Sequence, residues 1–180
     1  MKAFKIGFVG WNMVDYVKKY QKIVDELIRE SFPELKGKRI KIIEFPRMFQ
    51  VWSFAQRGFE NYYIFINKTK RGAKKISLKG QFAHELCHLV LDHVNKSFFG
   101  DLFHNLFKKF PSAFLNTKFS RDIEIEIDKE VIKRGYSKEL AAQTREWIEL
   151  FGEDFVESYL YSRGYFSLSQ IKEYKERIKK

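Results

Sequence analysis

A single cysteine, Cys87, stands in a chain of 180 residues. An internal disulfide is therefore excluded, and a reducing compartment fits. No stretch approaches the roughly 18 uninterrupted apolar residues of a membrane-spanning helix, so none is expected, although attachment to a surface stays open. The N-terminal run MKAFKIGFVGWNMVDYV has neither the sustained apolar core nor the small-residue cleavage site of a secretory leader. The expected location is the cytoplasm. Acidic residues are missing altogether between Asn61 and Ala83, where Lys68, Lys70, Arg71, Lys74, Lys75 and Lys79 follow one another. This basic loop, 68–79, reads first as a solvated segment and second as a contact for an anionic surface, nucleic acid or lipid. There is no repeat, no low-complexity tract and no linker long enough to divide domains.

What is present suits one core. The hydrophobic share is 44%, with 19 phenylalanines, and 34 basic residues against 23 acidic ones leave a net charge of +11. Such a length and composition predict a single domain over 1–180, with the main core over about 1–135 and a helical extension over 136–180. The positive balance favours polyanionic partners and specifies no chemistry.

Along the chain, apolar residues from Asn12 to Ser31 recur at three- and four-residue intervals and predict an amphipathic helix closed by Pro33 and Gly37. KRIKIIEF (Lys38 to Phe45) and YYIFIN (Tyr62 to Asn67) read as strands, with a further strand around Phe49 to Phe54. A helix is expected from about Ile76 to Asn95. The phenylalanine-rich segment 98–110 reads as one more apolar helix face, covered in the ordinary case by the core and otherwise by a membrane surface, a second copy or a lid. Ser120 to Lys133 alternates like a strand at IEIEID, yet Ile123, Ile127 and Val131 share a helical face, with Ser120 placed as an N-cap and Gly135 as a stop. Ser137 to Leu150, Glu153 to Arg163 and Ser167 to Lys179 predict three C-terminal helices separated by glycines. The last, with Lys172, Lys175, Lys179 and Lys180, reads first as a solvated terminal helix and second as a tail that occupies a cleft. The class is α+β, a small β-sheet with helices.

HELCH, residues 84 to 88, carries the chemistry. Four residues on a helix turn about 400°, so His84 and His88 emerge on one face within about 40° of each other and can grip one ion. Glu85 lies about 100° around, where its carboxylate reaches a water on the metal without occupying a coordination position. Imidazoles with a carboxylate suit a single zinc ion, and three protein ligands leave a fourth position for that water. Two histidines on an apolar core helix are the bland alternative, so a third ligand has to decide. A third histidine at position 94 is absent, because Val94 stands there. His93, nine residues from His84, falls about 180° away on a continuing helix. Glu124 lies 36 residues after His88, and Asp128 follows it by one turn on the same face. The pair reads either as a ligand with its outer support, in which Glu124 binds the ion, or as a solvated acidic face. Asp128 is expected to accept the second-nitrogen proton of a zinc histidine and to fix its tautomer.

HELCHLVLDH resembles the HELxHxxxxH of gluzincin endopeptidases of the HtpX, OMA and prenyl-protease type, and SRDIEIEID, residues 120 to 128, resembles their SRxxExxAD signature, with Ile127 in place of the usual alanine. The likeness covers roughly residues 60 to 135. Those relatives have transmembrane segments, so this chain is more similar to the soluble minigluzincins. The resemblance implies a zinc endopeptidase acting on polypeptide, with Glu85 as general base, His84, His88 and Glu124 as ligands, and Asp128 beside them. It also implies a small sheet above the active-site helix, backed by the glutamate helix, with YYIFIN as the rim strand to which an extended substrate adds.

Two other readings compete. His104, 16 residues after His88, would be the third ligand if the chain is similar to SprT-like proteases, which act on DNA-bound proteins. A non-catalytic zinc module that contacts nucleic acid through the basic loop is the other. Tyr136, Arg145 and His104 are open candidates for stabilising the oxyanion, and Cys87 reads as apolar packing.

Overall fold

The computed structural model describes residues 13–46, 52–93 and 117–179. The phenylalanine-rich segment 98–110 and His104 lie outside them. The architecture is α+β: three strands and six α-helices among the described residues. None of these helices is long and apolar enough to cross a membrane.

Helix α1, Met13–Ser31, is amphipathic by its spacing: Tyr20, Ile23, Val24 and Leu27 are all buried. Strand β1, Ile40–Phe45, runs parallel to β3, Tyr62–Asn67, and β2, Ser53–Arg57, runs antiparallel to it. The order is β1-β3-β2, so YYIFIN is the middle strand and not the rim. Its sequence accounts for this, since both its faces are apolar. Ile64 and Ile66 enter the core, while Phe65 on the other face stacks on Phe54 with centroids 4.6 Å apart. The edge near the histidine helix is β2. Positions 49–51 of the expected strand lie outside the described residues, and β2 runs on to Arg57, where Gly58 N–H donates to the Asn61 carbonyl at 2.7 Å and Arg57 faces Tyr62.

Helix α2, Lys75–Val90, carries HELCH and is buried along most of its length. Gly80 permits its closest crossing, because a Cβ there would collide with the backbone of Glu139 and Leu140 at the start of α4, Ser137–Phe151. Helix α3, Thr117–Lys133, sends Ile127 and Val131 into the same core as Phe82 and Leu86 of α2. Helices α5, Glu153–Arg163, and α6, Leu168–Arg177, complete the chain. Gly164, at φ +86° after α5, lies so near Arg121 of α3 that no side chain fits there. The turn after it is thereby pinned against the glutamate helix. Helix α6 opens on a capping box formed by Ser167 and Gln170 and anchors through buried Ile171. A second, smaller core of Trp147, Val156 and Leu160 joins α4 to α5.

Candidate metal centre

Successive turns of α2 bring His84 and His88 together, their Nε2 atoms 3.2 Å apart. Glu124 arrives from α3, with Oε2 at 3.0 Å from His84 Nε2 and 3.6 Å from His88 Nε2. Among the described residues these three form a group whose ligand atoms lie within 4.8 Å of one another. Behind it, His84 Nδ1 is 3.0 Å from Asp128 Oδ1, and the other Asp128 oxygen accepts the Phe166 backbone N–H at 2.7 Å. A carboxylate there fixes the proton on Nδ1 and leaves Nε2 with its lone pair.

The donor set fits a divalent metal. Glu124 Oε2 is buried with no hydrogen-bond donor, facing two imidazole nitrogens, so three lone pairs converge. Burial alone would disfavour charge on His84, but Asp128 and Glu124 outweigh it and hold its pKa well above the ordinary histidine value. Burial likewise works against a charged Glu124, and the imidazoles of His84 and His88 beside it override that, holding the carboxyl well below the usual range. The pocket therefore attracts positive charge, as a proton or as a cation. Two imidazoles and one carboxylate are a donor set that could hold a metal ion. His88 and Glu124 keep 16% and 17% of their side chains exposed, which leaves a path for entry.

Glu85 is buried and its Oε1 accepts from the Ser53 hydroxyl of β2 and from Gln81 Nε2 at 3.4 Å. Gln143 Nε2 in turn donates to Gln81 Oε1 at 2.8 Å. This chain of amides and a hydroxyl holds the carboxylate beside a cavity of about 30 Å³ walled by His84, Trp52, Trp147, Tyr159 and Tyr165. Such a space accommodates a water. The Tyr165 ring lies 5.4 Å from that of His84. Desolvation of its hydroxyl, with Glu124 beyond it, pushes the phenol pKa well up, so it remains a proton donor.

Several expectations change. Helix α2 stops at Val90, and Asp92 takes a left-handed φ of +53°. His93 therefore does not continue around the helix; its ring turns back to 6.2 Å from that of His88 and its Nε2 lies 3.6 Å from Glu126. It is still not one of the three converging groups. Tyr136 donates to the Ser31 hydroxyl and stacks on Phe32, and Arg145 is exposed; neither lines the cavity. Cys87 is fully buried in the main core. The basic loop is largely neutralised: Arg71 pairs with Glu44, Lys74 with Glu149, Lys75 and Lys79 with Glu26, and buried Lys70 lies 3.9 Å from Glu146.

Gln81 had a legible signal, since it precedes Glu85 by one turn. Ser53, Tyr165 and the two tryptophans had none, because they arrive from other elements. No protein-family model matches this chain, and no curated protein or solved structure matches it either.

Proposed function

We propose that the protein is a zinc-dependent endopeptidase of gluzincin type, with His84, His88 and Glu124 holding the metal and Glu85 as general base. The observation that carries the reading is the convergence of Glu124 on both histidines with Asp128 behind one of them. A bound zinc supplies Lewis-acid polarisation of a carbonyl and acidifies a water. Glu85 would take a proton from the attacking water as the water oxygen bonds to the scissile carbon, and would return it to the nitrogen as the C–N bond breaks. Ser53 and Gln81 keep the carboxylate oriented. Tyr165 donates a hydrogen bond to the carbonyl oxygen as it gains charge. The substrate runs extended along the outer edge of β2, which pairs with no strand among the described residues.

The test is hydrolysis of a quenched fluorogenic peptide by zinc-loaded protein and by its Glu85→Gln variant. The variant should retain zinc and lose about 10²- to 10⁴-fold in kcat. Equal cleavage by both proteins would remove the enzyme reading.

A further inference from the structure

An unbroken series of ring contacts leads from the metal site to the surface. His84 meets Tyr165 at 5.4 Å, Tyr165 meets Tyr159 at 6.3 Å, Tyr159 meets Phe155 at 6.4 Å, and Phe155 meets Phe151 at 6.1 Å, which in turn packs on Trp52 at 5.2 Å. Its inner end is buried; at its outer end, the corner between α4 and α5, Phe155 is 61% and Leu150 59% exposed. Large apolar groups gathered at one exposed corner lose free energy to water that a partner would recover. The corner also inverts the charge of the chain. From Arg145 to Arg163 there are five acids and two arginines, whereas the whole protein is at +11. Glu153, Asp154 and Glu157 are exposed and form no ion pair among the described residues. An anionic membrane or nucleic acid is repelled by such a rim, and a basic polypeptide is attracted.

From these features we infer that the α4–α5 corner docks the polypeptide substrate and selects segments in which a large apolar side chain is flanked by lysine or arginine. The inference rests on the peptidase reading for the word substrate, and on the surface itself for the selection. The apolar side chain lies against Phe151 and Phe155, its basic neighbours face Glu153, Asp154 and Glu157, and the backbone continues toward Trp52 and the start of β2.

The experiment uses the full chain as zinc-loaded Glu85→Gln, whose turnover is slow on the timescale of binding, with three fluorescein-labelled peptides: phenylalanine between lysines, phenylalanine between glutamates, and serine between lysines. Anisotropy should show the first binding about tenfold or more tighter than either other. Phe151→Ser/Phe155→Ser should abolish the advantage of phenylalanine over serine, and Glu153→Lys/Asp154→Lys should reverse the preference for lysine over glutamate; both pairs are exposed, and unchanged circular dichroism checks their folding. Equal binding of the three peptides, or unaltered preferences in both variants, would overturn the inference. So would a dimer in sedimentation that Phe151→Ser/Phe155→Ser dissociates, since a second copy would then be the occupant. Wild type on the same peptides separates the two claims. Cleavage without the preference removes this docking surface and keeps the peptidase, whereas selective binding without cleavage removes the peptidase and keeps the surface.

Discussion

His84 and Asp128 are joined Nδ1 to Oδ1 at 3.0 Å, across two helices and 44 residues of chain. One contact thus ties the orientation of a proposed ligand to the packing of α2 on α3. Because the second Asp128 oxygen holds the Phe166 N–H, the same side chain also anchors the turn that presents Tyr165.

Asp128→Asn keeps the volume and weakens the acceptor, so zinc affinity should fall about 10- to 100-fold in competition with a chelator. Asp128→Ala should do the same and additionally unfold about 1–3 kcal/mol more easily, because the Phe166 N–H is left buried without a partner. Unchanged zinc affinity in both variants would contradict the assigned role.

Tyr165→Phe removes only the hydroxyl. With fluorogenic peptide, kcat should drop about 10²-fold or more while KM stays near wild type, as expected of a donor used in the transition state. A rise in KM alone would make Tyr165 a packing residue.

Cys87 gives a pH dependence that needs no metal. Burial pushes its thiol pKa up in the folded protein, while in the unfolded chain it ionises near the ordinary value of about 8.5. Above that point the native state binds more protons than the unfolded one, so stability is fully present below pH ~8.5 and declines as pH rises, by up to about 1.4 kcal/mol per unit for this group. Tyr20, raised by burial and by Glu44, adds its own decline near pH ~10. Urea unfolding between about pH 7.5 and 9.5 should therefore be steeper in its pH dependence for wild type than for Cys87→Ala. Equal slopes would place the loss elsewhere.

Much of the framework was legible because local chemistry set it. Gly152 and Gly164 bracket α5, and both its ends fall where the sequence puts them. HELCH fixed one face of α2, and the four-residue step from Glu124 to Asp128 put both carboxylates toward it. Other features depend on partners distant in sequence. The central place of β3 follows from apolar groups on both its faces, which a period-two pattern does not convert into a strand order. The end of α2 carries no glycine or proline; Leu91 continues the apolar pattern while Asp92 breaks the helix, which is why His93 returns toward His88. Trp52, Trp147 and Tyr165 meet only because α2, α4, α5 and β2 pack around Glu85.

The central claim is that Glu124 completes a metal site with His84 and His88. Zinc per chain, measured by elemental mass spectrometry on wild type, Glu124→Ala and His104→Ala purified alike, tests it most directly. The account predicts one zinc in wild type and in His104→Ala and little in Glu124→Ala. Zinc retained in full by Glu124→Ala, or lost from His104→Ala instead, would contradict it.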